Sequence, residues 1–296
     1  MSRIKVQVGD RTLELSNLDK VLYPAAGFTK GEVIDYYTRV APVLLPHLRD
    51  RALTRIRYPN GVDAPSFFEK NAPASTPSWV RRETLPVSGS SRGLQTLDYV
   101  VAHDLPTLVW LANLAAIELH TPQWRIGCDP DLLVIDLDPG PPAGLEECRQ
   151  VALLVRELLV ADGLDPQPKL SGRKGMQLAA AISGTQPAEV VSGYAKRLAE
   201  HLAREHSKLV TATMAKKLRT GKVFLDWSQN NAAKTTVAPY SLRAGAMPLA
   251  SVPVTWEEVV DLSMPLRQLA PNEVLSRIAA SGDIWQSLLE CGPELP

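Results

Sequence analysis

Asp131-Leu-Leu-Val-Ile-Asp-Leu-Asp-Pro-Gly140 decides how the chain is read. Leu132 to Ile135 form a short continuous apolar run closed by a Pro-Gly turn signal, the pattern of a central rather than a half-exposed strand. Side chains alternate along a strand, so Asp136 and Asp138 share one face while Leu137 turns to the core. Two carboxylates side by side repel unless a proton or a cation lies between them. Hard oxygen ligands of this kind suit Mg²⁺ or Mn²⁺. A lone Asp-x-Asp before a turn favours a polar strand exit, because Asp and Pro are ordinary turn residues. A third carboxylate shifts the balance. In Val223-Phe-Leu-Asp-Trp227, Asp226 interrupts an apolar strand pattern where an acid is costly to bury without a partner, which makes it the natural third ligand.

Outward from this strand, the pattern predicts a helix over 145–162, then the segment Lys169-Leu-Ser-Gly-Arg-Lys-Gly175 and an apolar strand over 176–182. Strand, helix, glycine-basic loop and strand together aim loop amides and cations at a phosphate chain. The loop is neither a Walker loop nor a dinucleotide fingerprint, and a basic turn between helix and strand is also an ordinary surface feature. A second amphipathic helix is expected over 187–206, followed by the basic run Lys216 to Lys222.

Towards the N-terminus, residues 4–15 read as two strands around a Gly9-Asp10 turn. Thr29 and Glu32 form a capping box, and the helix it opens carries Val33, Tyr36, Tyr37 and Val40, with Pro42 and Pro46 expected to break it up. Unpaired amides at this helix start would converge beside Lys30, with Asn17 and Lys20 as further donors, to make a phosphate pocket. The alternative is a solvated lysine pair next to a routine cap. Arg55 and Arg57 precede Phe67-Phe68, which offer either a stacking platform for bases or ordinary core. Residues 72–95 read as loop with short strands, 104–120 as a helix ending at Glu118-Leu-His120, and 256–262 and 272–289 as packing helices.

The 296 residues are 45% apolar and 22% charged, which suits a globular protein with a well-buried core. No apolar run reaches membrane-span length, and Met-Ser-Arg-Ile-Lys-Val lacks a signal-peptide stretch, so a cytoplasmic location is expected. Cysteines at 128, 148 and 291 have no paired spacing. Lys plus Arg and Asp plus Glu balance at 32 each, so any hold on nucleic acid must come from local patches.

Taken together, Ser16-Asn-Leu-Asp-Lys-Val-Leu-Tyr-Pro24, Tyr58-Pro-Asn-Gly-Val, Phe67-Phe-Glu-Lys, Glu118-Leu-His-Thr-Pro-Gln-Trp-Arg, Val134-Ile-Asp-Leu-Asp-Pro-Gly, Ser171-Gly-Arg-Lys-Gly, Leu225-Asp-Trp-Ser-Gln-Asn and Lys234-Thr-Thr-Val-Ala-Pro-Tyr-Ser-Leu-Arg243 resemble the polymerase domain of bacterial ligase D. That family is a primase-polymerase of the archaeo-eukaryotic primase superfamily, used in non-homologous end joining. The resemblance covers nearly the whole chain. It implies an α+β (α/β) fold whose central mixed sheet carries the acidic site between flanking helices, with an N-terminal α/β lobe. One primase-polymerase domain over 1–296 is expected, with a phosphate-binding portion to about 97, a catalytic core to about 250 and a C-terminal packing segment.

By the same resemblance, Asp136, Asp138 and Asp226 bind two Mn²⁺ or Mg²⁺ ions. Phe67, Phe68, His120, Ser171, Lys174, Gln177, Gln229 and Arg243 contact the nucleotide, and Arg55 and Arg57 the template. Asn17, Lys20 and Lys30 bind the 5′-phosphate of a gap or break. The implied partners are gapped or broken DNA, ribo- or deoxyribonucleoside triphosphates, a Ku-like end binder and a DNA ligase, with ribonucleotides often preferred. Two departures stand out: Gln177 replaces a usual histidine and Ile56 a common lysine, and each removes a potential cation that bears on nucleotide affinity and turnover. They motivate a second reading, a weakly active paralogue that bridges DNA ends; a metal-dependent phosphodiesterase is a third. Ligase and nuclease motifs are not seen, as expected of an excised domain or a stand-alone relative.

Overall fold

The computed structural model describes residues 3–87 and 94–296. They form two compact units: the described residues up to 121 with 237–250 and 269–282 in the first, and 122–236, 251–268 and 283–296 in the second.

The first unit is organised on the Lys30–Leu48 helix, which packs against the helices Leu105–Asn113 and Pro271–Ser281. Thr29 caps it with the expected capping box, and Val33, Tyr36, Tyr37 and Val40 are buried. The helix continues through Pro42 and Pro46 to Leu48, contrary to expectation. Its apolar stripe continues past both prolines in Ala41, Val43, Leu44 and Leu48, and that burial outweighs the two lost backbone bonds. The predicted N-terminal hairpin is present, Arg3–Val8 pairing antiparallel with Arg11–Ser16. A second hairpin pairs Arg82–Pro86 with Thr96–Val100; within the 72–95 stretch, 88–93 lie outside the described residues.

A sheet ordered Phe67–Glu69, Thr54–Arg57, Ala116–Thr121 and Thr236–Val237 corrects the expected helix over 104–120. The helix stops at Asn113, Ala115 takes a left-handed conformation (φ 58°), and the chain re-emerges as a strand. The apolar spacing changes there from helical to alternating, so Glu118 and His120 come to share one strand face.

The second unit contains a six-stranded mixed sheet ordered Val210–Thr211, Val223–Asp226, Leu132–Pro139, Met176–Ala181, Gln167–Leu170 and Val252–Pro253. Only the Val210–Thr211 pairing is parallel among the registers described. Helices Leu145–Ala161 and Ala188–Glu205 pack on it. The basic loop connects two strands rather than helix to strand, because Lys169 and Leu170 already belong to a hairpin whose turn is 171–175. The expected helix over 272–289 breaks at Gly282 (φ 67°). Beyond it, Trp285 and Leu288 pack with Val134 and Ala179 of the sheet.

Candidate functional site

Register places the acids. Asp136 is directly opposite Asp226 on the neighbouring strand, and Asp138 follows two residues along on the same face. The other neighbour presents Gln177 opposite Asp136, and Lys169 is opposite Gln177 one strand further. A polar row therefore crosses four strands. Gln177 Nε2 donates to Asp136 Oδ1 at 2.8 Å. Asp226 accepts from the Ser228 amide and hydroxyl at 3.1 and 2.6 Å, and from Gln229 Nε2 at 2.8 Å. Asn230 clamps both backbone groups of Val134, continuing the ladder where the Asp226 strand ends. Burial pushes the Asp136 carboxyl up to about 6; Asp226 and Asp138 add to the rise against the Gln177 hydrogen bond.

Asp138 is held differently. Lys174 Nζ is 3.0 Å from Oδ1 and Arg219 Nη1 is 3.3 Å from Oδ2. Arg219 also donates to the Met214 carbonyl and stacks 3.7 Å from the Phe224 ring centroid. Two glycines allow the basic loops to lie this close. A Cβ on Gly140 would stand 2.0 Å from the Arg219 carbonyl oxygen, and one on Gly175 would stand 2.1 Å from that of Leu137. Ser171 Oγ accepts from the Arg173 and Gly175 amides, at 3.3 and 3.2 Å, and so shapes its own turn. Gln268 staples that turn from outside, accepting from Gly172 N and donating to Gly175 O.

In the first unit, Phe67 and Phe68 are 52% and 61% exposed on an edge strand, far from core-like. As neighbours they face opposite sides, giving two separate stacking surfaces instead of one platform. Arg55 corrects an expectation. It is fully buried, with Nη2 donating to Glu69 and the Asn71 carbonyl, and a side chain without exposed surface cannot contact a template. Arg57 shares Glu69 and retains 20% exposure. His120 and Arg243 meet on Glu118: His120 Nε2 and Arg243 Nη1 each lie 3.0 Å from its Oε2. The segment bearing Arg243 is pegged by buried phenols, with Tyr23 and Tyr36 donating to the Arg243 and Tyr240 carbonyls and Tyr37 accepting from the Leu242 amide.

Lys20 and Lys30 do lie together, but the helix-start amides are not aimed outward. Lys30 N donates to the Lys20 carbonyl, Gly31 N to that of Leu18, and Glu32 N to Thr29 Oγ1. The loop therefore consumes the donors expected for phosphate, leaving side-chain charge. Asn17 adopts φ 54° to turn that loop. Lys30 is 5% exposed, its Nζ donating to the Ser16 carbonyl at 2.5 Å, while Lys20 Nζ donates to Asn60 Oδ1 at 3.0 Å. Burial lowers the Lys30 ammonium to about 8, with repulsion from Lys20 contributing.

The family model described as LigD, primase-polymerase domain, matches residues 29–285. The chain belongs to the LigD primase-polymerase family. It is 43% identical over 289 residues to the multifunctional non-homologous end joining protein LigD of Mycobacterium bovis, matching 94% of this chain and 37% of that protein. It is 34% identical to the bifunctional LigD of Bacillus subtilis, matching 91% of this chain and 43% of the relative. The chain thus spans less than half the length of these relatives. The solved polymerase domain of Mycobacterium tuberculosis ligase D in complex with DNA superposes with a TM-score of 0.88 at 43% identity, covering 94% of this chain and 98% of that one. The expected α+β character agrees with that match.

Among the described residues no group of three or more His, Cys, Asp or Glu side chains is gathered closely enough to hold a metal ion. Asp136 and Asp226 are brought together, whereas Asp138 is turned to Lys174 and Arg219. The donor set nevertheless fits a divalent cation: hard carboxylate oxygens, with Asp136 and Asp226 opposed and Asp136 raised in pKa by burial and by the neighbouring carboxylates. Sequence reasoning missed Arg219 and Glu118. The basic run 216–222 carried the first signal without singling out a residue, and the second was hidden by reading its strand as helix. No helix among the described residues is long and apolar enough to cross a membrane.

Proposed function

We propose that this chain is a template-directed nucleotidyltransferase that fills short gaps and extends primer ends in DNA break repair by non-homologous end joining. The observation that carries this reading is the opposed Asp136–Asp226 pair, with Asp138 on the same face beside Lys174 and Arg219, in a chain of the LigD primase-polymerase family. Asp136 and Asp226, joined by Asp138 once it leaves its cationic partners, would hold two Mn²⁺ or Mg²⁺ ions. Such ions would lower the pKa of a primer 3′-hydroxyl and offset charge on the leaving pyrophosphate. Gln177 and Gln229 orient the acids by donating to Asp136 and Asp226. Lys174 and Arg219, released from Asp138, supply cationic donors for phosphates, and Ser171 shapes the turn that carries Lys174. Phe67 and Phe68 stack on bases, Arg57 takes the template role, and His120 and Arg243 contact the nucleotide.

Extension of a 5′-phosphorylated gapped duplex with Mn²⁺ or Mg²⁺, comparing ribo- and deoxyribonucleoside triphosphates, tests this reading. The expected result is templated addition with ribonucleotides preferred; absence of product with every metal and sugar rejects it. The cations already seated on Asp138 favour one competing reading, a DNA-end bridge without synthesis, which would give tight binding and no extension. A Ku-like end binder and a DNA ligase are the proposed partners.

Asn17, Lys20 and Lys30 are assigned to the 5′-phosphate, and this assignment predicts a pH dependence. Free Lys30 loses its proton near 8, so selectivity for 5′-phosphorylated over unphosphorylated gaps should fall as pH rises from 7 to 9. Folding stability should move oppositely. The unfolded chain binds the extra proton between about 8 and 10.5, so the cost of the buried ammonium disappears as pH climbs through that window. Fluorescence-anisotropy titrations of the two duplexes at several pH values check the first; selectivity that stays flat to pH 9 rejects the assignment to Lys30.

A further inference from the structure

The Ala116–Thr121 strand carries a carboxylate to which none of the roles above is assigned. Glu118 is 1% exposed, and a buried carboxylate is costly unless its oxygens are paired. Oε2 accepts from Arg243 Nη1 and from His120 Nε2, each at 3.0 Å, and Oε1 accepts from the Ala244 amide at 3.0 Å. Glu118 and His120 are two residues apart and so project from one face. Arg243 reaches the same oxygen from the Leu242–Arg243 strand, whose backbone the buried phenols of Tyr23 and Tyr37 fix. Arg243 Nη1 also stands 3.4 Å from His120 Nε2, and a guanidinium nitrogen has only hydrogens to offer. An ionised carboxylate can only accept, so the 3.0 Å contact requires Nε2 to carry the hydrogen, and the 3.4 Å approach of Arg243 is then two donors sharing one acceptor rather than a bond between them. That arrangement assigns His120 an Nε2–H and leaves Nδ1 as the ring nitrogen turned away from the carboxylate.

We propose that Glu118 is a positioning residue for the incoming nucleotide: through one buried oxygen it holds Arg243 and His120 at a fixed spacing and sets the His120 tautomer. The inference rests on the reading of His120 and Arg243 as nucleotide contacts and adds to it the group that orients them. Arg243 retains only 12% side-chain exposure, so loss of the carboxylate removes an ion-pair partner from a guanidinium held largely out of water and loosens its orientation. A neutral amide in place of Glu118 puts hydrogens where the site needs a second acceptor. His120 then gains by moving its own proton to Nδ1.

Glu118→Gln is the test, in the full chain. With ¹⁵N-labelled histidine, and the His120 signals assigned by their loss in His120→Ala, the wild type is expected to show the Nε2–H tautomer and the variant to lose it. The KM for the incoming nucleotide should rise at least about tenfold, with kcat changed much less and the affinity for 5′-phosphorylated DNA unchanged. In a His120→Ala/Arg243→Ala background the same substitution should add nothing further, since the glutamine oxygen can still accept from the Ala244 amide and the two side chains it positioned are gone. A wild-type KM together with an unchanged tautomer overturns the proposal, as does an equal added KM rise in the double-variant background. Should the glutamine variant fail to fold, Glu118→Asp, which draws the charge back by one methylene, decides by the same two readings. Failure of the wild type to extend any primer would reject the polymerase reading; the tautomer measurement would still decide, on its own, whether Glu118 orients the ring.

Discussion

Asp136→Asn is expected to lower nucleotide addition by at least about a thousandfold and to make the metal-free protein more stable at pH 7. The two effects have one origin. The asparagine side chain would still accept from Gln177 Nε2 but could neither bind a divalent cation as strongly nor repel Asp226 and Asp138. In the wild type the folded-state carboxyl is raised from 3.8 to about 6, so the native state binds the extra proton within that window. The contribution of this carboxyl to stability is therefore greatest below about 4 and declines as pH rises through 6. The shift allows an order-of-magnitude gain of about 1–3 kcal/mol for the neutral variant at pH 7, discounted because the side chain keeps partial access to water. Thermal melts in EDTA at pH 7 and pH 4, with the difference vanishing at the lower pH, and primer extension at saturating Mn²⁺ check both. A variant that retains synthesis, or melts below the wild type in EDTA, sinks the account of this pair.

The second large effect is expected from a single methyl group. Gly175→Ala places a Cβ 2.1 Å from the Leu137 carbonyl oxygen, and that backbone is the central strand of the sheet. The turn must lift away, which loosens the Ser171–Gly175 bonds and withdraws Lys174 from the acids. Overpacking of this kind costs about 1–3 kcal/mol, and a displacement of about 1 Å in a positioning group can lower turnover about a hundredfold. Denaturant melts and kcat for single-nucleotide addition measure the two. Wild-type values for both would mean that the turn need not lie against the strand.

The acidic face was legible because strand alternation is local: Asp136, Leu137 and Asp138 reveal their directions to anyone who counts by two. Asp226 was legible as an acid out of place in apolar surroundings. What holds these groups was not, since Arg219 lies 81 residues from Asp138 and looks in the sequence like its basic neighbours. Glu118 was lost to a wrong period, because Ala115 ends the helix by a backbone conformation that nothing in its side chain announces. Arg55 read as a contact because arginine is ordinarily exposed; here Glu69 and a carbonyl allow full burial. At the helix start the cap was read correctly, and its donors were assigned to a phosphate when the preceding loop had already taken them.

The three phenols that peg the Arg243 segment have a metric consequence. Tyr36 and Tyr37 belong to the helix that begins at Lys30, roughly two turns or 10 Å further along it. One rod therefore carries both the lysine assigned to a downstream DNA end and the anchor of the arginine assigned to the nucleotide. The spacing between Lys30 and the phenols that anchor the Arg243 segment is set by α-helical rise and not by a pliable loop, so those two marks keep a fixed separation as long as the helix is intact.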